Sequence, residues 1–156
     1  MKQAYYNFEF GKLHIGYEGK ILLLLKAEKD SGVKSEGERS PFSDLVYTSV
    51  CEFISGKRKD FGLSFRLEGT DFQKAVWNAL LNINYGETKT YGEIAAEIGR
   101  PKAARAVGSA CGKNRLWLIV PCHRAVASNS LGGYAGGIEM KKALLDTEKA
   151  SRNAFS

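Results

Sequence analysis

Two Gly-Lys pairs, Gly11-Lys12 and Gly19-Lys20, divide the start of the chain into three short segments: Tyr5–Phe10, Leu13–Glu18 and Ile21–Ala27. These segments are rich in aromatic and branched apolar residues. Connections this short leave one arrangement, since a parallel neighbour needs a crossover of about a dozen residues or more. An antiparallel meander is therefore expected. The polar stretch 30–40 reads as a loop. Leu45, Val46, Val50, Phe53 and Ile54 then fall at helical spacing, predicting one amphipathic helix over Ser43–Ser55. Lys57-Arg58-Lys59-Asp60 ends that pattern, and the alternation of Phe61, Leu63, Phe65 and Leu67 predicts an extended segment. Residues 1–68 are thus expected to form a small α/β domain with a connecting segment.

From Gly69 the apolar residues recur three and four apart. Thr70 and Gln73 have the spacing of a capping box, and Phe72, Val76, Leu80 and Ile83 line one face of the helix that follows. Thr90 and Glu93 repeat the pattern before Ile94, Ala95 and Ile98, and Gly99 is a natural C-terminal cap. Pro101 is expected to open the next helix, running to about Cys111, because its missing donor costs nothing in the first turn. Two short helices joined at Gly99-Arg100-Pro101 read as a helix-turn-helix. The fold class expected is α+β, with a mostly helical, winged-helix-like domain over residues 69–156. The second helix carries mainly Ala, Gly and Ser around Arg105. Such a bare helix either packs closely against other helices or approaches a narrow minor groove, whose degenerate pattern gives little sequence selectivity.

Composition narrows the class of function. The chain is 44% hydrophobic with 17 aromatic residues, ample for a core and incompatible with a disordered or fibrous chain. The longest apolar run, Ile21–Leu25, is too short to cross a bilayer, and Lys2-Gln3-Ala4-Tyr5 does not begin a secretory signal. Three cysteines with no CxxC pair fit a reducing compartment, so a cytoplasmic protein is expected, or a nuclear one in a eukaryote. His14 and Cys51 are too few to build a structural zinc site, and no cofactor is expected. Of the net charge of +6, residues 69–156 carry +5, and the 41 residues between Glu97 and Glu139 hold six cations and no acid. A run of this kind is a solvated face or a surface for a polyanion.

The chemistry-bearing segment is Val120-Pro121-Cys122-His123-Arg124, behind the apolar approach Leu116-Trp117-Leu118-Ile119. Neighbouring side chains on an extended strand point opposite ways, so Cys122 and His123 need a tight turn to act together. A base beside a thiol favours the reactive thiolate, and the sulfur is expected to be ionised by its neighbours. On the residues alone, inert packing, a cysteine hydrolase and a helix-turn-helix transcription factor stand as alternatives.

Pro121-Cys122-His123-Arg124 resembles the active-site signature of the 6-O-alkylguanine-DNA alkyltransferases. The likeness extends in order and spacing to Gly69-Thr70, Phe72-Gln73, Val76-Trp77, Thr90–Ala95, Arg105–Gly108, Asn114, Gly133-Tyr134, Leu144-Leu145 and Glu148. It covers about residues 69–148. It implies a methylated-DNA–protein-cysteine S-methyltransferase that binds double-stranded DNA in the minor groove, as a monomer, and extrudes an alkylated guanine. The base's alkyl group then passes irreversibly to one cysteine; whether 4-O-methylthymine is also a substrate stays open. The resemblance assigns Cys122 as nucleophile, His123 as its base through a water, Glu148 as the group orienting His123, and Asn114 as part of that network. Tyr91 is assigned to rotating the nucleotide and protonating guanine N3. Arg105 is assigned to the stack in place of the extruded base, with Thr90, Lys102, Ala104 and Arg124 also at the DNA. Cys111, Trp117, Tyr134, Ala135 and Gly136 are assigned to the base pocket. Arg115 stands where the family usually has proline. An alkyltransferase-like damage sensor shares this fold but lacks the nucleophile.

Overall fold

The computed structural model describes residues 1–29 and 36–155. They divide into two compact units, Met1–Leu67 with Arg115–Trp117, and Glu68–Asn114 with Leu118–Ser156. The sequence places the division at residues 68 and 69. It gives no sign that 115–117 belongs with the first unit.

In the first unit β1 (Lys2–Phe8), β2 (Gly11–Glu18) and β3 (Ile21–Glu28) form an antiparallel sheet in the order β1-β2-β3. The first turn lies two residues earlier than expected. Phe8 pairs with Gly11, so Glu9-Phe10 makes the connection and Gly11 opens β2. Glycine is required there, because φ is +114° and a Cβ would stand 2.7 Å from the Glu28 carbonyl oxygen. The second turn is Gly19-Lys20, with Glu18 opposite Ile21.

The outer edge of β3 presents backbone groups that need partners. Leu22 and Phe65 form one parallel bridge, through the Leu22 N–H to Ser64 O at 2.9 Å and the Arg66 N–H to Leu22 O at 3.1 Å. The alternation over 61–67 therefore yields a single bridged residue and no longer strand. Farther along the edge, the Leu25 N–H donates to Arg115 O at 2.8 Å and the Trp117 N–H to Leu25 O at 2.9 Å. This ladder is why 115–117 joins the first unit. α1 (Pro41–Ile54) starts two residues before the predicted helix, with Pro41 in its first turn and Ser40 and Ser43 closing a capping box. It buries Val46, Val50 and Phe53 along one stripe. Of the stretch 30–40, residues 36–40 are irregular apart from a bridge at Gly37, and 30–35 lie outside the described residues.

The second unit is mainly helical. α2 (Asp71–Leu81) begins with the Thr70–Gln73 capping box and buries Val76, Trp77, Ala79 and Leu80. Trp77 Nε1 donates to the Ala110 carbonyl at 2.9 Å. α3 (Tyr91–Glu97) begins with the Thr90–Glu93 box. It ends in a Schellman motif: the Gly99 N–H bonds Ala96 O at 3.0 Å, the Arg100 N–H bonds Ala95 O at 2.8 Å, and Gly99 has φ +79°.

α4 (Ala104–Gly112) starts later than expected. Pro101 and Lys102 form a turn closed by the Ala103 N–H to Arg100 O at 2.9 Å, so Pro101 does not open the helix. β4 (Lys89–Thr90) pairs in parallel with β5 (Ala125–Val126), setting the start of α3 beside the residues that follow Cys122. α5 (Ile138–Ser151) closes the unit. Among the described residues no helix is long and apolar enough to cross a membrane.

Candidate active site

Pro121 fixes the turn that the chemistry needs. Its φ of −80° and ψ of 65° are those of an inverse γ-turn, closed by the Cys122 N–H to Val120 O at 2.8 Å. A 3₁₀ turn over Cys122–Arg124 follows, with the Arg124 N–H donating to Pro121 O at 2.9 Å. Cys122, His123 and Arg124 thus leave one tight turn, not the opposite faces of a strand.

Asn114 braces that turn from across the excursion 115–117. Its Nδ2 donates to Val120 O at 2.9 Å and to Cys122 Sγ at 3.2 Å. His123 Nε2 lies 2.5 Å from Glu148 Oε2. A carboxylate only accepts, so this nitrogen carries the proton and the lone pair sits on Nδ1. The same carboxylate accepts from the Gly86 N–H at 3.0 Å, and from Arg124 Nε at 2.8 Å and Nη2 at 3.1 Å. Although burial works against its charge, the bonds from His123 and Arg124 bring the Glu148 carboxyl down to about 2. Burial holds His123 below its ordinary value, against the pull of Glu148, so the imidazole rests neutral at physiological pH and is able to take a proton.

Cys122 is only 4% exposed. Burial pushes its thiol up to about 11, against smaller opposing effects from the Asn114 bond and the Lys141 charge. The resting sulfur is therefore protonated at neutral pH, contrary to the expectation of a sulfur already ionised by its neighbours. Desolvation outweighs the helpful neighbours.

The sulfur opens onto a cavity of about 560 Å³, within the range of small-molecule sites. Tyr91 lines it from α3; Ala104, Arg105, Gly108, Cys111 and Gly112 line it from α4; Gly133, Tyr134 and Ala135 complete the wall. A Cβ on Gly108 or Gly112 would meet nothing within 4 Å. The bare side of α4 therefore faces open space, and close helix packing does not account for it there. Gly132 has φ +73°, and a Cβ there would come within 2.7 Å of Tyr91 Oη. Tyr91 Oη donates to the Gly133 carbonyl at 3.5 Å.

The structure thus brings together Cys122, His123, Glu148, Asn114 and Tyr91 with Ala104, Arg105, Cys111, Tyr134 and Ala135. Arg105 and Lys102 are exposed, and Thr90 caps α3 with its hydroxyl accepting from the Glu93 N–H at 3.0 Å. Three assignments fall elsewhere. Trp117 and Gly136 do not line the cavity; Trp117 is laddered to β3 in the first unit, and Gly136 is an exposed residue of the loop before α5. Arg124, expected at the DNA, is 7% exposed and tied to Glu148, with Nη1 donating to Ile83 O at 2.9 Å. Three of its donors already have buried acceptors, so the structure places it inside the second unit as a partner of Glu148.

Residues 71–150 match the family model described as the 6-O-methylguanine DNA methyltransferase, DNA binding domain. The methylated-DNA–protein-cysteine methyltransferase of Mycobacterium tuberculosis H37Rv is 45% identical over 145 residues, 90% of this chain and 87% of that protein. The chain belongs to this family. The Methanosarcina barkeri methylated-DNA–protein-cysteine methyltransferase is 52% identical over 132 residues, 83% of this chain and 84% of that one. The crystal structure of Mycobacterium tuberculosis OGT in complex with DNA superposes with a TM-score of 0.85 at 42% identity, covering 94% of this chain and 92% of that one.

Two buried cations of this methyltransferase family member were missed as such by the sequence reading. Arg124 was placed at the DNA by its position in the signature, and Lys141 was not singled out. Lys141, Leu144 and Glu148 lie at i, i+3 and i+7 on α5, a spacing that puts all three on one face. That spacing was the available signal.

Proposed function

We propose that this protein removes alkyl groups from the O6 of guanine in double-stranded DNA by taking them onto Cys122, once per molecule. The observation that supports this most directly is the buried Cys122 thiol at a base-sized cavity, held by Asn114 and followed in the same turn by a His123–Glu148 pair. An O6-alkyl group in a duplex is out of reach until the base is turned out of the stack, at a cost of about a few kcal/mol. Arg105, exposed beside the cavity on the bare helix α4, fills the gap left behind. Lys102 and the start of α4 meet the phosphates.

Because the resting thiol is neutral, its proton leaves as the reaction begins. His123 accepts that proton, directly or through a water, and the imidazolium formed is stabilised by Glu148. The sulfur attacks the alkyl carbon, the C–O bond breaks, and its electron pair stays on the guanine. Tyr91, whose hydroxyl is held in its protonated form mainly by burial, donates a proton to guanine N3. The thioether product is an unactivated electrophile that the released guanine does not attack, so the transfer is not reversed. Three free thiols, Cys51, Cys111 and Cys122, suit a reducing cytoplasm.

The test is to mix the protein with a duplex containing 6-O-methylguanine, digest it, and weigh the Cys122 peptide. A gain of one methylene on that peptide, absent in Cys122→Ala, is expected. An unmodified Cys122 peptide alongside repaired DNA rules the assignment out.

A further inference from the structure

The two oxygens of Glu148 are not equivalent. Oε1 accepts from the Gly86 N–H at 3.0 Å and from Arg124 Nε at 2.8 Å. Oε2 is shared: His123 Nε2 lies 2.5 Å from it, and Arg124 Nη2 donates to it at 3.1 Å. Histidine and arginine therefore draw on the same negative charge. A guanidinium that tilts toward Oε2 leaves less of that charge for an imidazolium, so the placing of Arg124 sets how well Glu148 supports His123.

That placing comes from the turn after α2. Ile83 O accepts from Arg124 Nη1 at 2.9 Å, so acceptors hold the guanidinium along its edges and its tilt is left to whatever covers its faces. Tyr85 covers one of them: Arg124 Cζ lies over its ring, 5.6 Å from the centre, within the range of a cation–π contact. The ring is itself anchored to α5, the helix that carries Glu148. Its hydroxyl shares a hydrogen bond with the Ser151 side chain, and burial, helped by the Glu148 charge, raises the phenol above its ordinary value and keeps it protonated. A Cβ on Gly86, the next residue, would stand 2.9 Å from Arg152 Cβ, so the turn sits close against the end of α5. Turn and helix end thus form one frame around the Arg124–Glu148 pair.

We propose that Tyr85 is a positioning residue of the transfer reaction, whose ring fixes the tilt of Arg124 and so keeps Glu148 Oε2 available to His123 as the Cys122 proton arrives. The inference rests on Cys122 being the acceptor and His123 its base. Tyr85 does not line the cavity beside the sulfur, so it acts only through Arg124 and Glu148. As the proton passes from Sγ to His123 Nδ1, the imidazolium is stabilised by the charge that Oε2 offers it, in a site shielded from water where small displacements matter.

The experiment compares wild type, Tyr85→Phe and Tyr85→Leu in two readouts. One is single-turnover transfer from the 6-O-methylguanine duplex over a range of duplex concentrations, with Cys122 alkylation followed by peptide mass. The other is the proton NMR spectrum of the free protein, in which His123 Nε2–H gives a far-downfield resonance, assigned by its loss in His123→Gln. Tyr85→Leu is expected to lower the saturating rate about tenfold with the half-saturating duplex concentration unchanged, and to move the His123 resonance upfield. Tyr85→Phe keeps the ring, so its rate should stay within about threefold of wild type and its resonance in place. In an Arg124→Met background the leucine substitution should cost nothing further, since the ring has no cation left to hold.

A leucine variant in which either the saturating rate or the His123 resonance stays at the wild-type value overturns the proposal. So does a phenylalanine variant as slow as the leucine one, or a leucine effect that persists in full beside Arg124→Met. Should Tyr85→Leu not fold, Tyr85→Met is read in the same way. If wild-type Cys122 gains nothing from the duplex, the acceptor assignment fails, while the His123 resonance still decides whether Tyr85 holds the pair.

Discussion

Replacing Glu148 by glutamine removes one charge and keeps the shape, and the structure sets the size of the effect. The carboxylate accepts from the Gly86 N–H, His123 Nε2, and two nitrogens of Arg124. Its carboxyl is lowered from an ordinary 4.5 to about 2. At 1.36 kcal/mol for each pKa step of one, that depression is worth about 3 kcal/mol. A second route gives a similar figure, since removing one partner of a buried ion pair costs about 3–5 kcal/mol by stranding the other charge, here Arg124. For a chain of this length that lowers the melting temperature by about 10 °C.

The pH dependence separates this cause from a packing defect. A carboxyl depressed on folding contributes its full stability above about 4.5, and loses it as pH falls through about 2. Urea unfolding of wild type and Glu148→Gln should therefore differ by about 3 kcal/mol at pH 7, with the gap shrinking stepwise between pH 5 and pH 3. A gap below about 1 kcal/mol at neutral pH, or one that stays constant across that range, would refute the reasoning.

Other sites give sharper contrasts. Arg124→Met should cut the transfer rate at least tenfold by freeing Glu148, while leaving DNA affinity and its salt slope unchanged; a changed slope returns Arg124 to the DNA surface. Lys102→Ala should lower the slope of log affinity against log salt by about one, measured by fluorescence anisotropy, with unmodified chemistry on bound DNA. Gly69→Ala should destabilise by about 1–3 kcal/mol in urea melts, because its new methyl would stand 2.6 Å from the buried Trp77 ring. Gly132→Ala combines a left-handed backbone with a 2.7 Å approach to Tyr91 Oη, so its transfer rate should fall in single-turnover assays more than its melting temperature suggests.

Much of the architecture was legible because it is written in short-range hydrogen bonds. The capping boxes at Thr70–Gln73 and Thr90–Glu93, the Gly99 C-cap and the Gly19-Lys20 turn each close within a few residues, and each stands where the sequence put it. The start of α4 did not, because the Schellman motif at Gly99 and the turn to Ala103 claim Pro101 first. The ordered signature likewise marked Cys122, His123, Asn114 and Glu148, which the fold gathers around one turn by the Asn114–Cys122 and His123–Glu148 hydrogen bonds.

What residue order did not decide was the fate of the charges and of the excursion. Arg124 is cationic in any sequence, yet its role was set by Ile83 O and Glu148, 41 and 24 residues away. Lys141 looks like a surface lysine until the fold brings Ala125 O, 16 residues upstream, to accept its hydrogen bond. Trp117 left the pocket because an open edge at Leu25 needed pairing. The protonated state of Cys122 follows from how much water the assembled second unit excludes. Local geometry is fixed by neighbours in the chain, but desolvation is a property of the whole fold, and in this protein desolvation sets the chemistry of the sulfur.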